Sequence, residues 1–521
     1  MRLRVLALTL AMLASPAHAS GTLTIAMTAG DIPLTNGLAD QGSEGIRFVG
    51  YSLYDALTGF DLSQGERPAE LVPSLATSWQ IDPANTKRWI FTLREGVTFH
   101  DGCSFDADTV IWNLQRLTDR SVPQFDTVQF ALSRATLANL AAFSRLDATH
   151  VAFDTTIVDS LFPWELATVM MVSPCQVKAT GYAPAAYGRT PSGTGPYRFD
   201  RMVPHERLEL LPNKAYWNKA RVPKQDRMVL IPMPEPATRA AALLNGQVNF
   251  IEAPAPDSIP RLKSAGMNVI TLVYPHNWGY QLNFVDKPFN DIRIRRAANH
   301  AINRADMVEL MGGTAIAGYS TAPPGHPFYG HPVKYEYDPG QATRLLKEAG
   351  CYPCAINLAI STSGSGQMHP LPMNELVKSN LEDVGFKVTI SVMDWNALLD
   401  VSRGGVQKFP QYSGLNISRS LSDAFSGLIR HVYTPQWAPA GGNWGHYSSP
   451  HMDGLITEAL SSFDTQTRAA KLRELHEYMN EEAVMIWVAH DLNARALGPK
   501  LHGFHQAQSW YQDLTPITID P

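Results

Sequence analysis

The sequence predicts an α/β protein made of more than one compact unit. Strand-like stretches alternate with helix-like stretches from one end of the chain to the other, without an internal repeat or a low-complexity linker. Hydrophobic residues make up 45% of the 521 residues, which is ample for a large core. At roughly 150 residues per domain, this length suggests about three units.

The first half of the chain supplies two clear strands and two clear helices. Thr22–Met27 alternates as a half-buried strand does, and Trp89–Leu93 predicts a second strand that is followed by a glycine turn. Asp106–Arg116 has apolar residues at helical spacing after an acidic start, and Pro236–Asn245 repeats that spacing. We therefore expect amphipathic helices at both places.

The second half continues the alternation. Ile292–Glu309 predicts one helix, and its four arginines indicate a solvated face rather than a binding patch. Asn374–Val384 and Thr465–Met479 predict two further helices. Lys387–Val392 and Met485–His490 predict strands, each after a helix.

The amino terminus has the features of a secretory signal peptide. Arg2 and Arg4 precede an apolar run that ends at Leu13, and the small-residue ending from Ala17 to Ala19 follows. A membrane anchor needs about 20 apolar residues, and this run is roughly half as long, so we expect cleavage after Ala19. The absence of a lipobox cysteine favours the Gram-negative periplasm over a lipid-anchored surface protein.

Charge and cysteine content narrow the class further. The 43 Lys and Arg against 48 Asp and Glu give a net charge of −5, which does not suggest a polyanion as partner.

In an exported chain, Cys351 and Cys354 predict a local disulfide, because the first cysteine follows a helix end and lacks the setting of a redox thiolate. Cys103 and Cys175 form a second bridge or remain free, and the sequence leaves both possibilities open.

The motifs of soluble enzymes are missing. The stretch Thr362–Gly366 lacks the glycine spacing of a nucleophile elbow, and Gly193–Gly195 lacks the lysine of a phosphate loop. His476 has Asn480 where a zinc protease helix needs a second histidine. We therefore expect a protein that is not an enzyme and has no cofactor.

Aromatic residues in loops of the second half are the unusual feature. Tryptophans among Gly, Asn and Pro are good walls for a ligand cleft, although each one is equally compatible with a sealed interface between lobes. The residues concerned are Trp278, Trp395, Trp437, Trp444 and Tyr447.

Several stretches resemble the family 5 solute-binding proteins of ABC transporters, the group of dipeptide-, oligopeptide-, glutathione- and nickel-binding proteins. Each stretch alone is weak, but their shared order and spacing behind a signal peptide cover nearly the whole mature chain. The matching stretches are Leu71–Trp79, Trp89–Gly102, Gly193–Tyr197, Asn213–Trp217, Asn283–Phe284, Pro288–Phe289, Asp291–Arg293 and Arg296–Arg304.

The resemblance implies a two-lobed periplasmic-binding-protein fold, with hinged α/β lobes and an extra α/β subdomain inserted in the first lobe. Residues 1–19 would be the signal peptide, and residues 61–189 the inserted subdomain. Lobe I would comprise residues 20–60, 190–274 and 497–521, and lobe II residues 275–496. The function implied is capture of a solute between the lobes and its delivery to a membrane permease, by a monomer that does not bind nucleic acid.

The sequence departs from the family in the loop that matches Gly414–Phe425. Peptide-binding members have there an aspartate that holds the α-amino group of the ligand, and this position falls near Ser418, beside Arg419. A guanidinium suits a carboxylate or another anion, so we expect a peptide-like or other small, anionic organic solute. Asn416 lies in the same loop and is a further candidate for ligand contact.

Other residues complete the expected site. Glu44 or Arg47 would supply a compensating charge from the first lobe, and Glu44 would preserve a free-amino peptide as ligand. Trp278, Trp395 and Trp444 would stack on the ligand or wall the cleft.

Two other functions remain open. A metal-chelate or haem carrier of the same fold would use His276 or His446 with an organic chelator. A secreted hydrolase with an unusual site would show turnover of peptides or esters.

Overall fold

A computed structural model describes residues 21–274, 276–286 and 288–520. The predicted signal peptide, residues 1–19, lies outside these ranges. Within them, no helix combines the length and the apolar character that a membrane crossing requires.

Strands occur along the whole described chain. They are β1 Thr22–Met27, β2 Thr58–Phe60, β3 Leu71–Pro73, β4 Ala76–Asp82, β5 Asn85–Leu93, β6 Leu140–Arg145, β7 His150–Thr155, β8 Tyr197–Val203, β9 Arg207–Pro212, β10 Arg227–Pro232, β11 Phe250–Glu252, β12 Asn268–Ile270, β13 His276–Leu282, β14 Ala315–Ala317, β15 Cys354–Ser361, β16 Phe386–Met393, β17 Gly414–Asn416, β18 Arg419–Ser420, β19 Met485–Asp491, β20 Arg495–Leu497, β21 Leu501–His502 and β22 Thr518–Ile519.

Helices alternate with these strands. They are α1 Ser43–Gly45, α2 Tyr51–Leu53, α3 Ala107–Thr118, α4 Thr127–Ser133, α5 Phe162–Glu165, α6 Pro174–Ala179, α7 Pro184–Tyr187, α8 Pro236–Leu244, α9 Ile259–Ser264, α10 Ile292–Ala301, α11 Arg304–Leu310, α12 Pro339–Glu348, α13 Pro370–Asp383, α14 Trp395–Gly404, α15 Ala424–Gly427, α16 Pro450–Leu460 and α17 Thr465–Glu481. A π-helical turn spans Ile46–Gly50, and 3₁₀ turns span Leu166–Thr168, Lys219–Arg221, Pro256–Ser258, Ile429–His431 and Thr434–Gln436.

Two large mixed sheets form the framework. The first has the order β12-β20-β11-β1-β10-β9-β8, in which β1 runs parallel to β10 and β11. The second has the order β14-β19-β13-β17-β15-β16, with β18 paired to β13. Every residue of β13 and β19 is buried, as expected for central strands with both faces covered.

The chain crosses between the two sheets at two neighbouring places. It leaves the first sheet after Ile270 and enters the second at His276, and it returns between Asp491 and Arg495. Each crossing is only a few residues long. Short paired connections of this kind are where hinge rotation between two lobes takes place.

A smaller antiparallel sheet, in the order β4-β5-β7-β6, packs against α3 and forms its own core. Asp106 caps α3 by accepting a hydrogen bond from the Thr109 backbone N–H at 2.9 Å, and the Thr109 hydroxyl accepts one from the Asp106 N–H at 3.0 Å. The predicted apolar stripe, Val110, Leu114 and Leu117, is buried against this sheet. In sequence, this unit lies between β1 and β8, which are both strands of the first sheet.

The stretch Ile292–Glu309 differs from the prediction of a single helix. Two helices, α10 and α11, occupy it, and the Asn303 side chain caps the second by accepting from the Ala305 N–H at 3.2 Å. The predicted solvated arginine face is wrong for Arg295 and Arg304, which are buried. Arg304 is satisfied by main-chain carbonyls, including that of Trp487 at 2.7 Å.

All four cysteines are paired. The predicted local bridge joins Cys351 to Cys354, and the pairing that the sequence left open joins Cys103 to Cys175 in the inserted unit. The two bridges close loops of very different length, with sequence separations of 3 and 72 residues respectively.

This difference gives a stability prediction. Replacing Cys103 and Cys175 together by serine is expected to lower the free energy of unfolding by about 2–4 kcal/mol, because a long closed loop restricts the unfolded chain most. The same double substitution at Cys351 and Cys354 is the matched control and should cost clearly less. Urea unfolding of both variants measures the difference, and equal losses would contradict the prediction.

Candidate functional site

A cavity of about 270 Å³ lies where the two large sheets and the smaller unit meet. Its walls come from segments that are far apart in sequence. The lining residues fall within 38–43, 131–136, 164–168, 395–403, 417–431 and 510–511, and Ile46, His276, Ser365, Gly441 and Gly442 complete them. The cavity therefore exists only when the lobes are together.

The loop that follows β17 supplies the charged wall. Arg419 is held in β18 by pairing with Asn277 of β13, and Asp423 caps α15 by accepting from the Ser426 N–H at 2.7 Å. Arg430 follows one turn after that short helix. Local capping and sheet pairing thus bring two guanidinium groups and one carboxylate to the same cavity.

Arg419 is a cation without a counter-ion inside the described protein. Its Nε and Nη2 atoms are buried and have no hydrogen-bond partner among the described residues. Burial, and then the nearby Arg430 guanidinium, lower the pKa of Arg419 well below its usual value. An anion in the cavity would remove this electrostatic penalty.

The neighbouring charges partly compensate each other. Burial lowers the pKa of Arg430, whereas the Asp423 carboxylate acts to raise it. Burial also raises the pKa of Asp423 above its usual value. Glu165 lines the cavity as well, so acidic and basic groups share one desolvated space.

Aromatic rings form the rest of the wall. Trp395 stands in the first turn of α14, where Asp394 accepts from the Ala397 N–H at 2.9 Å. Trp510 packs against His276 with ring centroids 4.5 Å apart. The indole Nε1 atoms of both tryptophans are buried without a hydrogen-bond partner among the described residues, so they are free to donate to an acceptor in the cavity.

A buried ion network fixes Trp510. The Arg47 Nε donates to the Trp510 carbonyl at 2.6 Å, and Arg47 is also paired with Glu252. The second carboxylate oxygen of Glu252 accepts from Arg495 Nε at 2.6 Å. The side chains of all three charged residues are at most 6% exposed. Arg47, which was predicted to face the ligand, instead holds the wall residue Trp510 and does not line the large cavity.

Glu44 does not face the large cavity. Its carboxylate accepts from the backbone N–H of Thr28 at 2.5 Å and from the Thr28 hydroxyl. It lines a second cavity of about 40 Å³, as does Arg47. The structure therefore gives the predicted compensating acid a partner of its own.

The Ser/Gly loop Thr362–Gly366 separates the two cavities. Both glycines have positive φ, and a Cβ at Gly364 would lie 2.2 Å from the Trp395 ring. A Cβ at Gly366 would lie 2.4 Å from the Trp510 ring. The loop also ties the lobes, because the Ser365 hydroxyl accepts from the Glu44 N–H at 3.1 Å.

Three predicted residues lie away from the cavity. Asn416 is fully buried and donates to the Gly279 carbonyl at 3.0 Å, which makes it part of the second sheet. Trp278 is fully buried in the core of that sheet, and Trp444 packs in the cluster that backs Trp395. Only Arg419, Ser418 and Trp395 of the predicted ligand contacts line the large cavity.

Sequence reasoning missed several cavity residues. Trp510 and Tyr511 come from near the far end of the chain, and only the fold brings them there. Glu165 and Arg430 carried a usable signal, since each is an isolated charge in an apolar stretch. A charged side chain that is buried with such a stretch needs a partner.

The histidines do not form a metal centre. No group of three or more His, Cys, Asp or Glu side chains within the described ranges is arranged to hold a metal ion. His276 lines the large cavity, with Nδ1 3.4 Å from an Asp491 oxygen. The His446 Nε2 lies 2.7 Å from the Ala438 carbonyl oxygen and its ring stacks on Trp437, outside the large cavity.

Two α/β lobes joined by paired short crossings, with a charged and aromatic cavity between them, define a hinged ligand-binding protein. Residues 70–426 match the family model described as bacterial extracellular solute-binding proteins, family 5 middle. The chain belongs to family 5 of the bacterial extracellular solute-binding proteins. The resemblance stated above is thereby confirmed.

Relatives and solved structures agree with this assignment. The chain is 29% identical over 520 residues to the glutathione-binding protein GsiB of Pectobacterium atrosepticum, which covers 95% of this chain and 94% of the relative. It is 25% identical over 495 residues to di/tripeptide-binding protein 2 of Pseudomonas aeruginosa, covering 90% of each. The structure of DppA from Helicobacter pylori in complex with the peptide STSA superposes with a TM-score of 0.84 at 23% identity, covering 96% and 98% of the two chains.

Three expectations are settled by these comparisons. The chain is a solute-binding protein of an ABC import system, and its family is non-catalytic, so the prediction that it is not an enzyme is confirmed. The mixed α/β fold of this family is shown by a structural match that covers 96% of the chain.

The ion network around Glu252 gives a second stability prediction. Glu252→Gln leaves Arg47 and Arg495 buried without a counter-charge, and we expect a loss of about 3–5 kcal/mol in the free energy of unfolding. Asp108→Asn is the matched control, because Asp108 pairs with Arg145 at 3.0 Å on the surface. That change should cost under about 1 kcal/mol, and similar losses for both variants in urea unfolding would refute the role of the network.

Proposed function

We propose that this protein captures a small, peptide-like organic acid between its lobes and delivers it to a membrane permease. The observation that carries the proposal is Arg419, a buried guanidinium that faces the cavity without a counter-ion among the described residues. Burying an unpaired charge is costly, and a bidentate carboxylate compensates a guanidinium well. Arg419 thus favours an anion as the ligand of this cavity.

The names of the relatives support a peptide-like ligand. One relative is called glutathione-binding, another di/tripeptide-binding, and the Helicobacter pylori structure contains a peptide. At about 270 Å³ the cavity is close to the lower end of the roughly 300–1,000 Å³ range of pockets that hold small organic ligands. A compact ligand of a few residues suits this space better than an extended chain.

The aromatic wall supports the same class of ligand. Trp395 and Trp510 offer flat apolar surfaces and free indole N–H groups, and Ser418 adds a hydroxyl. Apolar walls with a few polar groups are typical of sites that orient a small organic molecule. Binding then requires lobe closure, because the walls come from both lobes.

The remaining organisation is part of this proposal. Lobe I comprises residues 20–60 and 190–274 and resumes at about Arg495, since β20 pairs with β11 and β12. Residues 61–189 form the inserted subdomain and residues 275–494 lobe II. The mature chain begins after Ala19, works as a monomer in the Gram-negative periplasm, and meets an ABC permease at the membrane.

Replacing Arg419, which has no ion partner among the described residues, tests the proposal. Arg419→Gln is expected to weaken binding of trialanine and glutathione by about 10- to 100-fold, because a hydrogen bond to a charged group contributes about 1.5–3 kcal/mol. Trialanine amide, which lacks the terminal carboxylate, should bind weakly to both proteins. Tryptophan fluorescence and calorimetry measure the affinities.

Arg344→Gln is the matched control, because this arginine is on the surface of α12. Native mass spectrometry of the purified mature protein complements the titrations by weighing any retained solute. Acid and amide binding equally well, or Arg419→Gln behaving like the control, would overturn the role of Arg419. A retained metal complex would instead support the chelate carrier.

A further inference from the structure

Glu165 is a second charged group of the large cavity with no function in the fold described so far. The residue is 4% exposed and lines the cavity, and neither carboxylate oxygen accepts a hydrogen bond from a described residue. Buried carboxylates normally accept several such bonds. Unfilled acceptors at a cavity wall indicate a donor that comes from outside the protein.

The position of Glu165 is firmly set. It ends α5, and the preceding segment docks on the second lobe through the Ser160 N–H, which donates to the Leu460 carbonyl at 2.8 Å. Leu161 and Trp164 pack into the hydrophobic cluster around Phe425. Glu165 and Arg419 therefore reach the cavity from different units of the fold.

The ionisable groups around Glu165 are two acids and one arginine, a balance that favours a cation beside them. Asp159 precedes it in the same segment and accepts a hydrogen bond from the protonated Glu165 carboxyl. Asp423 and Arg430 face Glu165 from the second lobe. Burial, and then the charges of Asp159 and Asp423, raise the pKa of Glu165 well above its usual value. An approaching ammonium would act against these effects and favour the ionised form of the carboxyl.

We propose that Glu165 binds the amino group of the ligand, so that the molecule lies with its acid end at Arg419 and its amino end at Glu165. This inference rests on the proposed function and makes the ligand a zwitterion. It replaces the expectation for Glu44, whose carboxylate is occupied by Thr28 and lines the other cavity.

The test compares two ligands that differ only at the amino end. Wild-type protein is titrated with trialanine and with N-acetyl-trialanine, and we expect the free amine to bind about 10- to 100-fold more tightly. Glu165→Gln keeps the size of the side chain and should remove this preference while affinity for the acetylated peptide stays nearly unchanged.

Proton release provides a readout that a purely structural role would not change. Calorimetry in phosphate and in Tris should show more proton release from the wild type than from Glu165→Gln when trialanine binds, because the ammonium lowers the raised pKa of the Glu165 carboxyl. Glu44→Gln serves as the rival substitution and should keep both the amine preference and the proton release.

The outcomes separate the two proposals. If the wild type binds both peptides equally, or if Glu44→Gln removes the amine preference, the role of Glu165 is overturned and the peptide-like acid stands. If the wild type binds neither peptide nor glutathione, the proposed function fails and the inference fails with it. The comparisons made on the wild type alone hold even when a variant does not fold.

Discussion

The carboxylate of Glu252 is the interaction on which the cavity depends. It joins Arg47 of the first lobe to Arg495 of the returning strand, so three segments distant in sequence meet at one buried charge. Because Arg47 also holds the Trp510 carbonyl, the same network places the indole that walls the cavity and packs on His276. Buried ion networks contribute little net stability compared with an apolar core, but they strongly disfavour any arrangement that leaves one charge unpaired. Here the network holds the Trp510 part of the cavity wall in a single position.

The charged residues of this network are paired with one another, whereas the cavity beside it contains an arginine without an ion partner among the described residues. Arg47, Glu252 and Arg495 are linked to one another, and Arg304 is satisfied by main-chain carbonyls. Arg419 has neither kind of compensation among the described residues. Arg495 is itself paired only through Nε, since its two Nη atoms have no partner among the described residues. Arg419 differs in having no ion partner at all there, and an anion enclosed between the lobes would neutralise it.

The sequence predicted the framework better than the site, for a physical reason. Periodicity reports which face of an element is buried, and β1, α3, α8 and β19 follow their predicted ranges within a few residues. Periodicity does not report what covers that face. Trp278 and Trp444 were expected at the cleft because they lie among polar and small residues, yet neighbouring strands and helices enclose them. Trp510 acquires its role from packing between remote segments, which no local pattern records, whereas Glu165 stood out in the sequence only as an isolated charge whose place in the fold was unknown.

The residues that form the cavity wall determine when the growing chain becomes able to bind a ligand. Leu38 is the earliest contributor in the chain and Tyr511 the latest, and Trp510 is fixed by residues from the first lobe. A chain made amino terminus first can complete the core of the inserted unit, which lies within residues 57–217, before this wall exists. It cannot enclose a solute until the final segment has been added. Recognition is therefore the last property that the growing chain acquires.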